Sequence, residues 1–147
     1  AMIGMMLGSG TSGVPEAVAL DIASLKLPAS PNAHLVAPDG ATAERHDATP
    51  LRPIDPDAAW AVLRRLGEGR ERVWVQAEFA ALRQIHWVER SRIMNYPDII
   101  VGQVITLPGG TGYWLYSRSL IGHSDLGVNA ARLARWRTDL ESRLDAL

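Results

Sequence analysis

Four strand-like runs follow one another between residues 72 and 121, and they constrain the fold more than any other feature of the chain. In the first run, Val73, Val75, Ala77 and Phe79 are predicted to share one face, because side chains alternate across a strand. The connections between runs are short, which favours an antiparallel meander over parallel strands joined by crossovers. The four runs cover residues 72–79, 84–94, 98–107 and 113–121.

Two amphipathic helices flank these strands. Asp55 followed by Pro56 predicts a capped start to a helix of about three turns. A longer helix begins between Asp125 and Asn129 and closes the chain, with apolar residues at spacings of three and four. This apolar stripe consists of Leu133, Trp136, Leu140, Leu144 and Leu147. The predicted fold is α+β: an antiparallel sheet of four or more strands with one short and one long C-terminal helix, in the order β-α-β-β-β-β-α.

The composition of the N-terminal third of the chain predicts two segments outside the compact domain. Residues 1–13 contain Gly-Ser-Gly-Thr-Ser-Gly and are predicted to be flexible. Residues 14–50 carry repeated prolines, which predicts an extended arm packed on a single domain of residues 51–147. The apolar run at residues 2–7 is far shorter than the roughly twenty residues that cross a membrane. It is interpreted as the stump of a removed or truncated anchor, or as a native start at Met2.

Charge and residue types exclude several classes of function. The 15 basic and 16 acidic residues give a net charge of −1, so no overall field attracts nucleic acid, and nucleic acid is not predicted as a partner. The chain has no cysteine, which excludes thiolate chemistry. Its four histidines show no metal-ligand spacing. Neither a metal nor another cofactor is predicted, and the oligomeric state is left open.

The segment from Tyr116 to Asn129 carries a family resemblance. It reads Tyr-Ser-Arg-Ser, then glycine at 122 and Ser-Asp-Leu-Gly-Val-Asn at 124–129. This is similar to the tail YSRS…G-x-SD-[LF]-GVN of a bacterial family catalogued as a domain of unknown function, number fourteen ninety-nine. Further matches at Pro31-Asn32, Trp60, His86-Trp87-Val88 and Tyr96-Pro97-Asp98 extend the resemblance from about residue 28 to the end.

The resemblance implies a location but no activity. Many relatives carry an arginine directly after the motif's asparagine, where this chain has Ala130, so a role of that arginine does not carry over. Family members often follow an N-terminal hydrophobic anchor or signal. The resemblance therefore implies the cell envelope, with proximity to a membrane, and a cytoplasmic location is the alternative.

A candidate ligand site is predicted where the last strand meets the long helix. Alternation places Arg118 on one face with Trp114 and Tyr116. Arg118 is predicted either to pair with Asp125 or to clamp a ligand carboxylate or phosphate, assisted by two serines and the helix N-terminus. The candidate binding residues are Arg118, Ser117, Ser119, His123, Ser124, Asp125, Asn129, Trp114 and Tyr116.

Three function hypotheses follow from these patterns. The first is a non-enzymatic binding or interaction module of the envelope for a small apolar or anionic ligand, with no catalytic residue assigned. The alternative is a hydrolase-like enzyme using His123, Ser124 and Asp125, although consecutive residues do not generally form the hydrogen-bonded chain of a triad. The third is a structural partner of another envelope protein, which an exposed apolar strip would indicate.

Overall fold

The computed structural model describes residues 2–122 and 125–147, apart from the side chains of Met2 and Ile3. The helices are α1 (Met2–Leu7), α2 (Pro56–Leu63) and α3 (Val128–Asp145). The strands are β1 (Ala33–Ala37), β2 (Asp47–Ala48), β3 (Val73–Phe79), β4 (Gln84–Arg90), β5 (Pro97–Leu107) and β6 (Gly110–Ser119).

The six strands form one mixed sheet in the order β2-β1-β6-β5-β4-β3. Strands β3 to β6 are the predicted antiparallel meander. Strand β1 pairs antiparallel with β6, and β2 pairs parallel with β1. The predicted α+β class, with its mostly antiparallel sheet and its short and long helices, is confirmed. The arm supplies two of the strands, because an open edge of β6 offers unpaired backbone groups that β1 can satisfy.

Helices α2 and α3 cover one face of the sheet. The Asp55 carboxylate accepts a hydrogen bond from the Ala58 backbone N–H at 2.9 Å, and Pro56 opens α2 as predicted. On α3, four members of the predicted stripe are buried: Leu133, Trp136, Leu140 and Leu144. The fifth member was predicted wrongly, because α3 ends at Asp145 and Leu147 is 55% exposed.

Strand β3 departs from the alternation predicted for it. The pairing of β3 with β4 shifts between Val75 and Ala77, which marks a β-bulge or irregularity. An extra residue in one strand turns the following side chains to the other face. Ala77 and Phe79 therefore lie on the face of His86 rather than on that of Val73 and Val75, and Val75, which precedes the shift, is 51% exposed on the edge strand. The second strand is also shorter than predicted, since β4 ends at Arg90.

The arm packs on the sheet face opposite α2 and α3. Its apolar residues pack against Val88, Val101, Trp114 and Tyr116 of the sheet. These arm residues are Val14, Leu20, Ile22, Leu25 and Leu27. Both faces of the sheet are therefore covered, one by helices and one by an irregular segment.

The first residues form a short helix and turns that touch the end of β4. The Arg90 guanidinium donates to the carbonyl oxygens of Gly10 and Ser12 at 2.8 and 2.7 Å, and also to that of Met5. The Asn95 amide donates to the carbonyl oxygens of Met6 and Gly8. Flexibility of residues 1–13 stays a prediction. Among the described residues, no helix has the length and apolar character needed to cross a membrane.

Candidate functional site

The side chains of the motif Tyr-Ser-Arg-Ser at the end of β6 alternate between the two faces of the sheet. Tyr116 belongs to the cluster under the arm, and Arg118 lines the same region. Ser117 instead contacts Asn129 of α3, and so does Ser119. The serines lie across the sheet from the guanidinium, which corrects the prediction that they assist Arg118.

The arm-face residues form the floor of a cavity of about 210 Å³, which we call the arm cavity. Strand register places His86, Val101 and Tyr116 in one cross-strand row. The next row on that face places Ile99 beside Arg118. Side chains two residues apart on a strand share a face, so these two rows form a continuous floor.

The arm supplies the roof of the arm cavity. Pro15, Ala17, Val18 and Leu20 line it, together with Glu16. Two glutamines of the sheet hold this stretch at its ends. Gln76 donates to the Pro15 carbonyl at 2.7 Å. Gln84 exchanges two hydrogen bonds with the Leu20 backbone, at 2.8 and 2.7 Å.

Arg118 is half-buried at the wall of the arm cavity and makes no hydrogen bond or ion pair with any described residue. The predicted pairing with Asp125 is absent among these contacts, since Asp125 bonds to Gly127 and Asn129. Burial raises the pKa of Tyr116, and the positive charge of Arg118 partly offsets this effect. Arg118 is thus close to Tyr116 and has its donors available to a ligand.

His86 contributes an uncharged polar group to the cavity floor. Burial lowers the pKa of His86 to about 4, because the charged imidazolium loses its hydration. Its Nε2 lies 2.8 Å from Gln84 Oε1. Since that oxygen can only accept, Nε2 carries the proton and Nδ1 is unprotonated at neutral pH. At neutral pH the charged side chains that line the cavity are therefore Arg118, which is positive, and the exposed Glu16, which is negative.

On the opposite face, the remaining motif residues form a buried hydrogen-bonded cluster, the corner network. Asn129 is fully buried at the start of α3. Its amide nitrogen donates to the Asn32 carbonyl at 3.0 Å, to Ser119 and to Asp125, and its oxygen accepts from Ser117. Every polar atom of the Asn129 side chain is therefore satisfied within the protein.

Asp125 anchors the start of α3 in this network. Its carboxylate accepts from the backbone N–H groups of Gly127 at 2.8 Å and Asn129 at 3.1 Å. Burial works against the charged carboxylate, but hydrogen bonds from the Asn129 side chain and from these backbone groups outweigh it and lower the pKa of Asp125. The N-cap residue of α3 is Gly127, so Asp125 satisfies free N–H groups of this helix start from two residues before the cap.

Arg132 of α3 completes the corner network. Arg132 is 4% exposed, and its guanidinium bonds to Glu89 at 2.6 Å and Asp98 at 2.8 Å. It also donates to Ser117 and Asn129. Burial raises the pKa of Asp98, and Arg132 partly offsets this. The signal in the sequence was the position of Arg132 one residue before Leu133, at the edge of the apolar stripe.

The other predicted site residues lie elsewhere. Trp114 is buried under the arm, where its indole N–H donates to Gln103, and it does not line the arm cavity. His123 and Ser124 lie outside the described residues. Within residues 2–122 and 125–147, no three His, Cys, Asp or Glu side chains come close enough to hold a metal ion.

Of the predicted site residues, only Tyr116 and Arg118 line the arm cavity; its other lining residues were not predicted. His86 and Gln76 stand on predicted strands, but their position on one face depends on the pairing register of β3 with β4, which shifts at Gln76 and is not encoded by alternation. The roof was not accessible, because nothing in the composition of residues 15–20 indicates which part of the sheet they cross.

These observations define the class of protein: an α+β domain whose sheet is covered by two helices on one face and by its own N-terminal arm on the other. The chain belongs to the family described as protein of unknown function (DUF1499), whose model matches residues 25–140. The matched region includes the whole sheet and most of α3. No curated protein matches the chain significantly, and no solved structure does so.

Proposed function

We propose that this domain is a non-enzymatic binding module for a small anionic ligand with an apolar body. The observation that carries the proposal is Arg118: a half-buried guanidinium at a cavity wall, without a hydrogen bond or ion pair to any described residue. Buried or partly buried arginines are usually paired. A carboxylate or phosphate oxygen of a ligand would supply the missing partner in the geometry that a guanidinium fork prefers.

The remaining walls of the arm cavity support an apolar body for this ligand. Ile99, Val101 and Val18 are aliphatic, and Tyr116 adds an aromatic ring. His86 is neutral at pH 7 and can accept a hydrogen bond at Nδ1. A few placed polar groups within apolar walls are typical of small-molecule sites.

The cavity volume restricts the size of the ligand. Drug-sized ligands occupy pockets of about 300–1,000 Å³, whereas the arm cavity has about 210 Å³. This favours a short-chain aliphatic or monocyclic carboxylate over a long-chain lipid. A longer molecule would require the arm to move away from the sheet.

The test is a thermal-shift and heteronuclear NMR titration with butyrate, hexanoate and benzoate. We expect saturable binding with shift changes at residues 16–18 and 99–101. Arg118→Gln should weaken it by about tenfold or more, since hydrogen bonds to charged groups contribute about 1.5–3 kcal/mol. Glu16→Gln should leave binding unchanged or strengthen it, because it removes a like charge from the ligand's surroundings.

A matched control separates local from global electrostatics. Arg64 is exposed on the other side of the sheet and pairs with Glu78, so Arg64→Gln removes the same charge away from the cavity. It should leave carboxylate affinity within about twofold. Equal losses in Arg118→Gln and Arg64→Gln, or no saturable binding of any of the three acids, would contradict the proposal.

A second candidate, a protein-binding role, is supported by exposed apolar residues on the outer strand. Trp74 and Val75 of the edge strand β3 are 37% and 51% exposed. Exposed apolar edges are common sites of association. Site-specific photo-crosslinking at position 75 in cells should capture one partner protein at this edge; an absence of discrete adducts would count against the role.

Location in the cell envelope belongs to the same proposal. It rests on the resemblance to proteins that follow an N-terminal anchor or signal. Fractionation of cells that express the native gene with a C-terminal tag should find the protein in the envelope fraction. Recovery in the cytoplasmic fraction alone would reject this location without affecting ligand binding.

A further inference from the structure

A second concave site lies on the helix-covered side, at the end of β4. It is an open cleft of about 520 Å³ that we call the arginine cleft. Its walls come from the loop before β3, the end of β4 and the exposed face of α3. Five arginines line it: Arg70, Arg72, Arg90, Arg92 and Arg135.

Strand pairing forces two of these arginines together. Val73 pairs with Glu89, so Arg72 and Arg90 stand opposite each other at the end of the ladder. The Arg90 backbone N–H donates to the Arg72 carbonyl at 3.0 Å, and the Arg72 guanidinium donates back to the Arg90 carbonyl at 3.1 Å. Like charges in directly opposite positions are unfavourable. Burial lowers the pKa of Arg90, and the charge of Arg72 lowers it further.

The carboxylates at the cleft are already engaged by other cations. Glu89 binds the buried Arg132 at 2.6 Å. Glu71 pairs with Arg92. These two pairs leave the remaining cleft arginines without neutralisation from the cleft's own carboxylates.

Three of the five arginines have no carboxylate partner among the described residues. Arg72 bonds to the Asn95 side chain and to a backbone carbonyl, and Arg90 is 2% exposed with its guanidinium donating to four backbone carbonyls, so Arg90 adds positive charge beside the cleft while its donors are committed elsewhere. Arg135 is exposed and makes no hydrogen bond or ion pair with any described residue. Since the whole chain has a net charge of −1, this concentration of positive charge is local.

Trp136 fixes one side of the cleft. Its ring is 1% exposed, and the Arg70 guanidinium stacks on it at 4.5 Å from the ring centre. Arg70 is held further by Asp139 at 2.7 Å. Arg70 on this wall is thus held by two contacts, whereas Arg135, one residue before Trp136, is exposed and has no such contact with a described residue.

We propose that the arginine cleft is a binding site for a phosphate-class oxyanion carrying at least two negative charges. Guanidinium groups bind phosphate oxygens in pairs, and several of them around one cleft favour a multiply charged anion over a single carboxylate. The arginine cleft shares no lining residue with the arm cavity, so the two sites are independent. The phosphate group belongs either to a free diphosphate or phosphate monoester or to a lipid headgroup.

The test uses inorganic pyrophosphate as the probe. Calorimetric titration of the full chain at low ionic strength should show one saturable site that weakens with added salt. Arg135→Gln should reduce the affinity about tenfold or more. Arg135 is exposed and makes no contact that folding needs, so this variant is expected to fold as the parent does.

The control removes the same charge elsewhere. Arg65 is 69% exposed in its side chain, pairs with Glu68 and lies away from the cleft, so Arg65→Gln should leave pyrophosphate affinity within about twofold. A second arm measures flotation with vesicles of phosphatidylcholine alone and with added phosphatidic acid. Arg135-dependent vesicle binding that pyrophosphate displaces would assign the lipid headgroup; pyrophosphate binding alone would assign a free ligand.

Two results would overturn the proposal. One is the absence of saturable binding to both pyrophosphate and phosphatidic acid vesicles. The other is an equal loss of affinity in Arg135→Gln and Arg65→Gln, which would mean that only the overall charge of the protein attracts the anion.

Discussion

Gln84 and Leu20 are joined by two hydrogen bonds, although 64 positions separate them in the chain. The Leu20 N–H donates to Gln84 Oε1 at 2.8 Å, and Gln84 Nε2 donates to the Leu20 carbonyl at 2.7 Å. The buried Gln84 side-chain amide thereby satisfies both backbone groups of Leu20, as a neighbouring strand would. This contact closes the arm cavity at one end.

Gln84→Leu should release the arm from the sheet. The variant removes both partners of the Leu20 backbone, and we expect a loss of about 1–3 kcal/mol in the free energy of unfolding. Hydrogen exchange at the Leu20 amide should accelerate strongly, while amides in β5 keep their protection. Gln76→Leu, which removes the single bond to Pro15, should have a smaller effect. Unchanged exchange at Leu20 in Gln84→Leu would show that the side chain does not hold the arm.

His86 should make the stability of the protein fall in mild acid. Its pKa is about 4 in the folded protein and 6.5 as the ordinary value, so the unfolded chain takes up a proton first. The contribution is complete above pH 6.5 and is lost as the pH falls toward 4. Its size is on the order of 3 kcal/mol, from the linkage between pKa shift and stability. Urea unfolding measured at several pH values across this range tests it.

Two histidine variants should affect the pH dependence of stability in different pH ranges. His86→Gln should flatten the loss between pH 6.5 and 4, because the depressed group is gone. The pKa of His46 is raised, first by its bond to the Glu44 carbonyl and then by Asp39, so His46 favours folding in acid. That contribution is complete below pH 6.5 and is lost as the pH rises above it, so His46→Gln should lower stability by a constant amount between pH 6.5 and 4 and leave the slope there unchanged. Identical profiles for His86→Gln and the parent would remove His86 as the cause.

Arg132→Leu should be among the most damaging substitutions on α3. It leaves the buried Asp98 and the half-buried Glu89 without their cation, and removing one partner of a buried ion pair costs about 3–5 kcal/mol. Arg135→Leu on the next helical turn serves as the control, since that side chain is exposed and should cost less than about 0.5 kcal/mol. Chemical denaturation midpoints compare the two; similar midpoints would contradict a structural role for the corner network.

Trp136→Ala should reveal the main anchor of α3. Trp136 is buried and meets Trp87 edge to face, with ring centres 5.0 Å apart. Truncation of a buried tryptophan to alanine costs about 3–5 kcal/mol. Leu147→Ala removes an exposed side chain beyond the helix and should change the free energy of unfolding by less than about 0.5 kcal/mol. A midpoint that Trp136→Ala leaves unchanged would reject the assignment.

Elements with a local signal were predictable, and elements without one were not. Asp55 and Pro56 define the start of α2, and the stripe through Trp136 defines the buried face of α3. The bulge in β3 was not predictable, because the pairing register depends on the opposite strand. Alternation placed Arg118 correctly with Tyr116. The same rule places Ser117 and Ser119 on the face opposite Arg118. The prediction of one common binding site for all three residues was inconsistent with this alternation.

The sequence by itself determined helices α2 and α3, the four strands of the meander, and the family that the chain resembles. Local periodicity, capping and turn chemistry are sufficient for these properties. The tertiary structure alone decided where the arm crosses the sheet, which side chains line the arm cavity and that Arg132 is buried. These features depend on contacts between residues far apart in the chain, such as Gln84 with Leu20, and no local pattern encodes the partner of a long-range contact.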